Sequence, residues 1–253
     1  MTAKTFGKLT LEIHPDRAAA GFAAGNAAAA AIREAIAAKG TARVIFAAAP
    51  SQNEMLDTLT AAPDIDWSRV TAFHMDEYFS LPPEAPQRFA HYLGAHIFGK
   101  VSFGAKHFIT CEPGESPQAA CDAYTRKLDA APVDLVCLGI GENGHLAFND
   151  PPADLNDPQA VRIVALDDAC RQQQVNDGCF PDIGAVPTHA ITLTVPALLR
   201  GTRLVCTVPG PRKRDAVRRA LTGEISGDCP ASALRTHPGA TLFIDRDCWG
   251  EDE

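Results

Sequence analysis

VDLVCLGIGENGHLAFNDPP, residues 133–152, is the stretch on which the fold turns. Its start, VDLVCLG (133–139), is an almost unbroken apolar run, as expected of a strand covered on both faces of a parallel sheet. GIGENG (139–144) follows, formally the G-x-G-x-x-G pattern of a dinucleotide site. That motif must open a helix soon after the first strand of a βαβ unit. Here Asn149-Asp150-Pro151-Pro152 would stop any helix within about two turns, so the dinucleotide reading is rejected. Gly141 and Gly144 are instead expected to let the backbone turn tightly and approach a ligand, placing His145 beside it. A lone histidine is usually structural or solvated. This one stands between a glycine turn and the acid Asp150, the pattern of a ring whose tautomer a carboxylate fixes.

Similar apolar runs recur on either side: RVIFAAA (43–49), VTAFHM (70–75), AITLTV (190–195), RLVCTV (203–208) and TLFI (241–244). Helical stretches are expected between them near 18–38, 51–62, 84–98, 115–130, 167–176, 211–222 and 231–235. The alanine-rich first of these reads as a packed helix, since Asn26, Arg33 and Glu34 interrupt it and alanine is the strongest helix former. The alternation predicts an α/β protein: a single doubly wound, mostly parallel sheet with helices on both faces, Rossmann-like but without the dinucleotide site. Neither an internal repeat nor a Gly/Ser linker appears, so one domain over 1–253 is expected. Ligands of such sheets sit at the carboxyl ends of the strands, which directs attention to the loops there.

The composition narrows the partners. Of 253 residues, 23 are Lys or Arg and 31 are Asp or Glu, for a net charge of −8. A nucleic-acid binder needs a basic excess, which is missing. With 46% hydrophobic and 21% charged residues, disorder is excluded. Neither a run long and apolar enough for a membrane span nor a cleavable leader is read. The eight cysteines show no C-x-x-C pair and several lie inside apolar runs, so they are expected to be small buried hydrophobes in a reduced, cytoplasmic protein.

Three further loops carry chemistry. Ser51 and Glu54 in APSQNE (49–54) fit an S-x-x-E capping box, and the same helix start could offer N–H groups to an anion. Asp76 and Glu77 in FHMDEY (73–78) directly follow an apolar strand. Adjacent acids can raise one another's pKa and leave a poised base, although an exposed acidic loop is an equally good reading. PGPRKR (209–214) starts a helix with cations, against the preference of the helix dipole, which suggests an anionic ligand near Lys213. H-E-x-x-H, Cys/His clusters and facial-triad spacing are absent, so no metal is expected. A G-x-S-x-G elbow is absent too.

At these loops the chain resembles the glucosamine-6-phosphate deaminase (isomerase) family, within a larger group of sugar-phosphate isomerases and 6-phosphogluconolactonases. The resemblance rests on FHMDEYFSLP (73–82), GIGENGHLAFNDPP (139–152), VPTHAITLTVPALL (186–199), GPRKRDAVRRAL (210–221) and PASALRTHP (230–238). It implies conversion of glucosamine 6-phosphate, or a close hexosamine 6-phosphate, to a ketose of the fructose 6-phosphate type plus ammonia, without a cofactor. By position, Asp76 would be the base moving a proton between C2 and C1. His145 would assist ring opening with Asp150 and Asn143 around it, and Glu77 would support the turn. Ser51, Gln52 and Lys213 would hold the phosphate. Three departures stand out: Ala49-Pro50-Ser51-Gln52 replaces a Gly-Gly-Thr-Pro-like loop, Asp150 replaces a Glu, and the family's lid arginine has no counterpart. Arg171 is the expected substitute. The alternatives are a lactonase, another sugar-phosphate isomerase, or a non-catalytic sugar-phosphate sensor. The expected partner is a small hexosamine phosphate rather than nucleic acid or membrane, and a homo-oligomer stays open because related enzymes differ in that respect.

Overall fold

The computed structural model describes residues 2–111 and 114–250; of the expected domain 1–253, the other six residues lie outside that description. Strands β1 (Thr2–Phe6), β2 (Leu9–His14), β3 (Ala42–Phe46), β4 (Val70–His74), β5 (Asp76–Glu77), β6 (Ala105–His107) and β7 (Leu135–Leu138) occupy the first part of the chain. They are followed by β8 (Val161–Ala165), β9 (His189–Leu193), β10 (Arg203–Thr207) and β11 (Ala240–Asp245). Eight of these form one sheet in the order β1-β2-β11-β10-β7-β3-β4-β6. Every neighbouring pair in it is parallel except β1 with β2.

The apolar runs end up where continuous hydrophobicity requires, with β3, β7 and β10 at the centre and helices covering both faces. On one face lie α1 (Arg17–Lys39) and α2 (Asn53–Thr60), packed over Val44, Phe46, Leu135 and Val205. Gly21 and Gly25 let these helices meet closely: a methyl group at Gly21 would stand 2.3 Å from Glu54 Cβ. A short helix, α3 (Phe89–Leu93), continues as one π-turn through Phe98 to complete this layer. The opposite face is covered by α4 (Pro117–Leu128). The core beneath it includes Val136, Leu138, Cys206 and Leu242. Six cysteines, at 121, 137, 170, 206, 229 and 248, are buried, in keeping with their apolar settings.

The sheet reading holds with one addition. AITLTV does form a strand, but β9 leaves the main sheet and pairs antiparallel with β5 and β8 in a second, three-stranded sheet. Two-residue β5 was invisible as a strand because only its pairing with β9 defines it. Nearby, α5 (Asp168–Asn176) and an aromatic cluster of Tyr78, Phe89, Phe148 and Phe180 fill the space between the two sheets. Ring centroids in this cluster lie 5.1–5.7 Å apart, the spacing of interlocked aromatic packing. Three further helices complete the described chain: α6 (Val195–Leu198), α7 (Arg214–Thr222) and α8 (Arg246–Trp249).

Candidate active site

From β3 the chain moves outward to β4, and from β7 it moves the other way to β10, so the loops leaving β3 and β7 diverge. This switch point is where an open α/β sheet leaves a crevice. A cleft of about 370 Å³ opens there, lined by loops after β3, β4, β7 and β10 and by the end of α5. Ser51, Gln52, Asp76, Gly141, His145 and Lys213 all line it, although they lie up to 162 positions apart in sequence.

The loop after β3 differs from its expected form. Pro50–Gln52 makes a 3-10 turn that starts the helix early, and Ser51 does not cap it. Glu54 turns instead to Arg17, 2.6 Å from its Nε, so the capping box is not made. The fully buried Gln52 donates through Nε2 to the Thr207 carbonyl and to Ser51 Oγ, at 3.1 Å each, tying this loop to the end of β10. Lys213 ends the 3-10 turn Pro211–Lys213 after β10 and is 9% exposed. Burial holds its ammonium below the usual lysine range, with Asp177 and Glu142 partly opposing the shift. A bound dianion would reverse this effect by supplying the counter-charge that burial removed.

Strand alternation separates the two acids. Successive residues of β5 point to opposite sides, so Asp76 faces the cleft while Glu77 faces inward. Glu77 is fully buried and accepts from the N–H groups of Tyr78, Phe89 and Ala90 at 2.9–3.0 Å, with Arg88 Nε 3.6 Å away. It therefore stitches its own turn to the start of α3. Asp76 is 6% exposed, and its carboxyl is raised well above the ordinary range, first by burial and then by the charge of Glu77. His74, by contrast, is structural. It is fully buried, accepts from the Ile109 N–H at 2.7 Å, and is driven down to about 3 by burial and then by Arg88.

His145 owes its place to a glycine. A methyl at Gly141 would lie 2.2 Å from both Cε1 and Nε2 of the ring, so only glycine leaves the ring room there. Gly141 lines the cleft, but Gly144 does not. With φ of 93° it closes the turn and faces Cys229, so its need for glycine is conformational rather than a contact with ligand. Behind the ring, Asn143 Oδ1 accepts from the His145 N–H at 3.0 Å, and Asn143 Nδ2 donates to Asp150 at 3.0 Å and to Asp167 at 3.1 Å. Asp150 also accepts from the Asp167 N–H. Its Oδ1 lies 3.1 Å from His145 Nδ1, but the approach is oblique to the ring N–H and falls short of a full hydrogen bond. The shorter acid at 150 thus reaches the ring without aligning with it. Burial alone would raise the Asp150 carboxyl; the His145 ring, the Asn143 amide and the Asp167 N–H together hold it below the usual range.

Asn143 and Asp150 are accordingly supports behind the cleft rather than part of its wall. Arg171 is a correction. It lies outside the cleft, donating to the Ile183 and Val186 carbonyls and to Asp168, so it does not substitute for a lid arginine. Its position on α5 puts it on the side facing the 183–186 turn. In its place Arg17, Arg212, Gln174 and Asp177 line the cleft; Arg212 belongs to the cationic helix start read from the sequence, whereas nothing in the spacing signalled the other three. Among the described residues, one group could hold a metal ion: His145, Asp150 and Cys170, with ligand atoms within 4.8 Å of one another. Burial, then Asp150 and Asp167, push the Cys170 thiol well up, making it an S–H beside Asp150 rather than a thiolate ligand.

Residues 15–243 match the family model for glucosamine-6-phosphate isomerases/6-phosphogluconolactonase. The chain belongs to this family. Within it, a glucosamine-6-phosphate deaminase of Bacillus cereus (strain B4264) is 34% identical over 183 residues, 72% of this chain and 68% of that protein. The solved structure of a monomeric glucosamine-6-phosphate deaminase superposes with a TM-score of 0.86 at 26% identity, covering 95% of this chain and 98% of that one. A 6-phosphogluconolactonase from Shewanella baltica gives 0.75 at 17% identity, over 96% and 97% of the two chains, a likeness of fold. Both branches of the family therefore share the sheet. The MDEY and GHLAFN segments that carried the resemblance supply Asp76 and His145 to that cleft.

Proposed function

We propose that the chain is a glucosamine-6-phosphate deaminase: glucosamine 6-phosphate and water give fructose 6-phosphate and ammonia. The observation that carries this reading is Asp76, a buried carboxylate with a raised pKa that shares one cleft with His145 and Lys213. Moving a proton between adjacent carbons needs a base whose pKa lies near the working pH, and burial moves Asp76 in that direction. The deaminase relatives, at 31–36% identity, favour the same activity.

The steps follow from this placement. Ser51 and Lys213 take the phosphate dianion, with Gln52 holding Ser51 in position. His145 moves a proton between the ring oxygen and the C1 hydroxyl, which opens the pyranose to the aldehyde. Asp76 removes the proton from C2, the electron pair passes to the C1 carbonyl, and its oxygen takes a proton from solvent to give the enol, a proton that is returned when water adds at C2. Return of the proton held by Asp76 to C1 places the double bond between C2 and nitrogen. Water adds to C2, and ammonia leaves. Asn143 holds the His145 backbone, Asp150 places a carboxylate 3.1 Å from the ring nitrogen, and Glu77 keeps the turn that carries Asp76. No step calls on a metal or an organic cofactor. The whole reaction is housed in the one domain, and a charged phosphorylated metabolite as substrate makes the cytoplasm its working compartment.

The test is direct. Purified protein incubated with glucosamine 6-phosphate should release ammonia and fructose 6-phosphate in equal amounts. Asp76→Asn should lower kcat by about 10²–10⁴-fold. Retention of turnover in that variant would sink the assignment. Hydrolysis of 6-phosphogluconolactone without ammonia release would move the chain to the other branch of the family, and binding without turnover would make it a sensor.

A further inference from the structure

Arg17 is the first residue of α1, directly after the capping Asp16, and a cation there opposes the helix dipole. Its side chain is 43% exposed but does not extend freely into solvent. It crosses to the loop after β3, donating through Nε to Glu54 Oε1 at 2.6 Å and through Nη2 to the Pro50 carbonyl. The guanidinium therefore stands beside Ser51, and it lines the same cleft as Lys213. A guanidinium carries five N–H donors, and these two anchors leave others for a ligand.

The second cleft arginine is placed differently. Arg212 has two carboxylates at 3.7 Å, Glu142 and Asp177, and reaches towards the Asn176 carbonyl. It bridges the glycine loop to the end of α5. Arg17 is instead anchored from one side only, by one carboxylate and one carbonyl that belong to the loop carrying Ser51. The failed capping box now has a physical account: Glu54 holds Arg17, and the Ser51 hydroxyl is left for the ligand.

We infer that Arg17 is a phosphate-binding residue, pre-set by Glu54 and Pro50 to close a three-sided grip with Ser51 and Lys213 on the phosphate of the substrate. The inference rests on the proposed sugar-phosphate reaction for its ligand, but it assigns a residue that the family motifs do not contain. A planar guanidinium pairs with phosphate oxygens through two parallel N–H bonds, which a lysine cannot reproduce. An arginine fixed by the protein before the ligand arrives also loses less freedom on binding than one on a mobile segment.

The experiment compares Arg17→Ala and Arg17→Lys with Arg33→Ala, whose side chain binds the Pro63 carbonyl elsewhere on α1. Two measurements are made: KM and kcat for glucosamine 6-phosphate, and the midpoint of a calorimetric titration with inorganic phosphate. Arg17→Ala should raise both KM and the phosphate midpoint by about ten- to hundredfold, as expected for a charge-assisted bond, with kcat moving much less. Arg17→Lys should recover only a minor part of the loss, and Arg33→Ala should match the wild type. An unchanged phosphate midpoint in Arg17→Ala overturns the inference, as does full rescue by lysine. The phosphate titration does not depend on turnover. A shifted midpoint in a chain without deaminase activity would keep the grip and remove the reaction.

Discussion

A methyl group at Gly141 offers a measure of how much the reaction depends on the place of one ring. In Gly141→Ala the new Cβ falls 2.2 Å from Cε1 and Nε2 of His145 and 2.5 Å from Cδ2, whereas ordinary contact begins near 3.4 Å. The ring must withdraw by about 1.2 Å, because the methyl sits on a backbone tied by the Gly141 N–H to the His145 carbonyl at 3.0 Å. Gly141 does not use a left-handed conformation, so alanine adds bulk there without backbone strain. A misplacement of about 1 Å costs roughly 10²-fold in rate, equal to about 2.7 kcal/mol of barrier. We therefore expect kcat for ammonia release to fall about 10²-fold. KM and stabilisation by inorganic phosphate should hold, since Ser51, Gln52 and Lys213 are untouched. Gly94→Ala is the control: the backbone there is helical and nothing lies within 4 Å of the added carbon. The double variant Gly141→Ala/His145→Ala should be no slower than His145→Ala alone, since both act through one group. Wild-type kcat in Gly141→Ala, or losses that add in the double variant, would refute the reasoning.

Five further outcomes follow from the charged groups in and around the cleft. In the fold the Asp76 carboxyl is raised, so its protonated form is favoured and ionisation costs stability as pH rises through the folded pKa. Asp76→Asn should thus raise Tm at neutral pH, with the gain shrinking as pH falls towards 3.8, the ordinary Asp value; thermal melts across pH check it. For the same reason the acid limb of kcat/KM in the wild type should lie above the ordinary carboxylate range, and a limb near 4 would contradict it. Glu77→Ala orphans three buried N–H groups and Arg88, and should cost about 3 kcal/mol or more in urea unfolding. Lys213→Met should weaken binding of inorganic phosphate while leaving neutral-pH stability unchanged or higher, since burial already disfavours the ammonium; a calorimetric titration and a melt read both. Arg171→Ala should leave KM unchanged and lower Tm, because its bonds tie α5 to the 183–186 turn.

Much of this architecture is written locally. The runs around Val44, Val136 and Val205 are apolar on both faces, which suits only a strand covered on both sides, and they became the centre of the sheet. Gly141, Gly144 and the Asn149–Pro152 stop shape a turn whatever surrounds it, so the loop carrying His145 was readable. Asp76, His145 and Lys213 were legible because each follows such a strand, and strand ends in this fold converge on one edge. A chain of net charge −8 gathers Lys213, Arg17 and Arg212 at a single cleft.

Side-chain partners across the chain were decided only by the tertiary structure. Spacing offered Glu54 to Ser51 three residues away, yet Arg17, 37 residues away, supplies a full charge and wins the carboxylate. The family resemblance offered Arg171 to the cleft, yet the face of α5 it occupies sends it to the 183–186 turn. Likewise β5 is too short to have a pattern, and it exists because β9 pairs with it and thereby divides the work of Asp76 and Glu77 between two sides. The sequence by itself determined which residues end strands and turn the backbone, because those preferences are settled by near neighbours. Which charges meet, and which side chain finally faces the substrate, depended on helices and sheets brought together from distant parts of the chain.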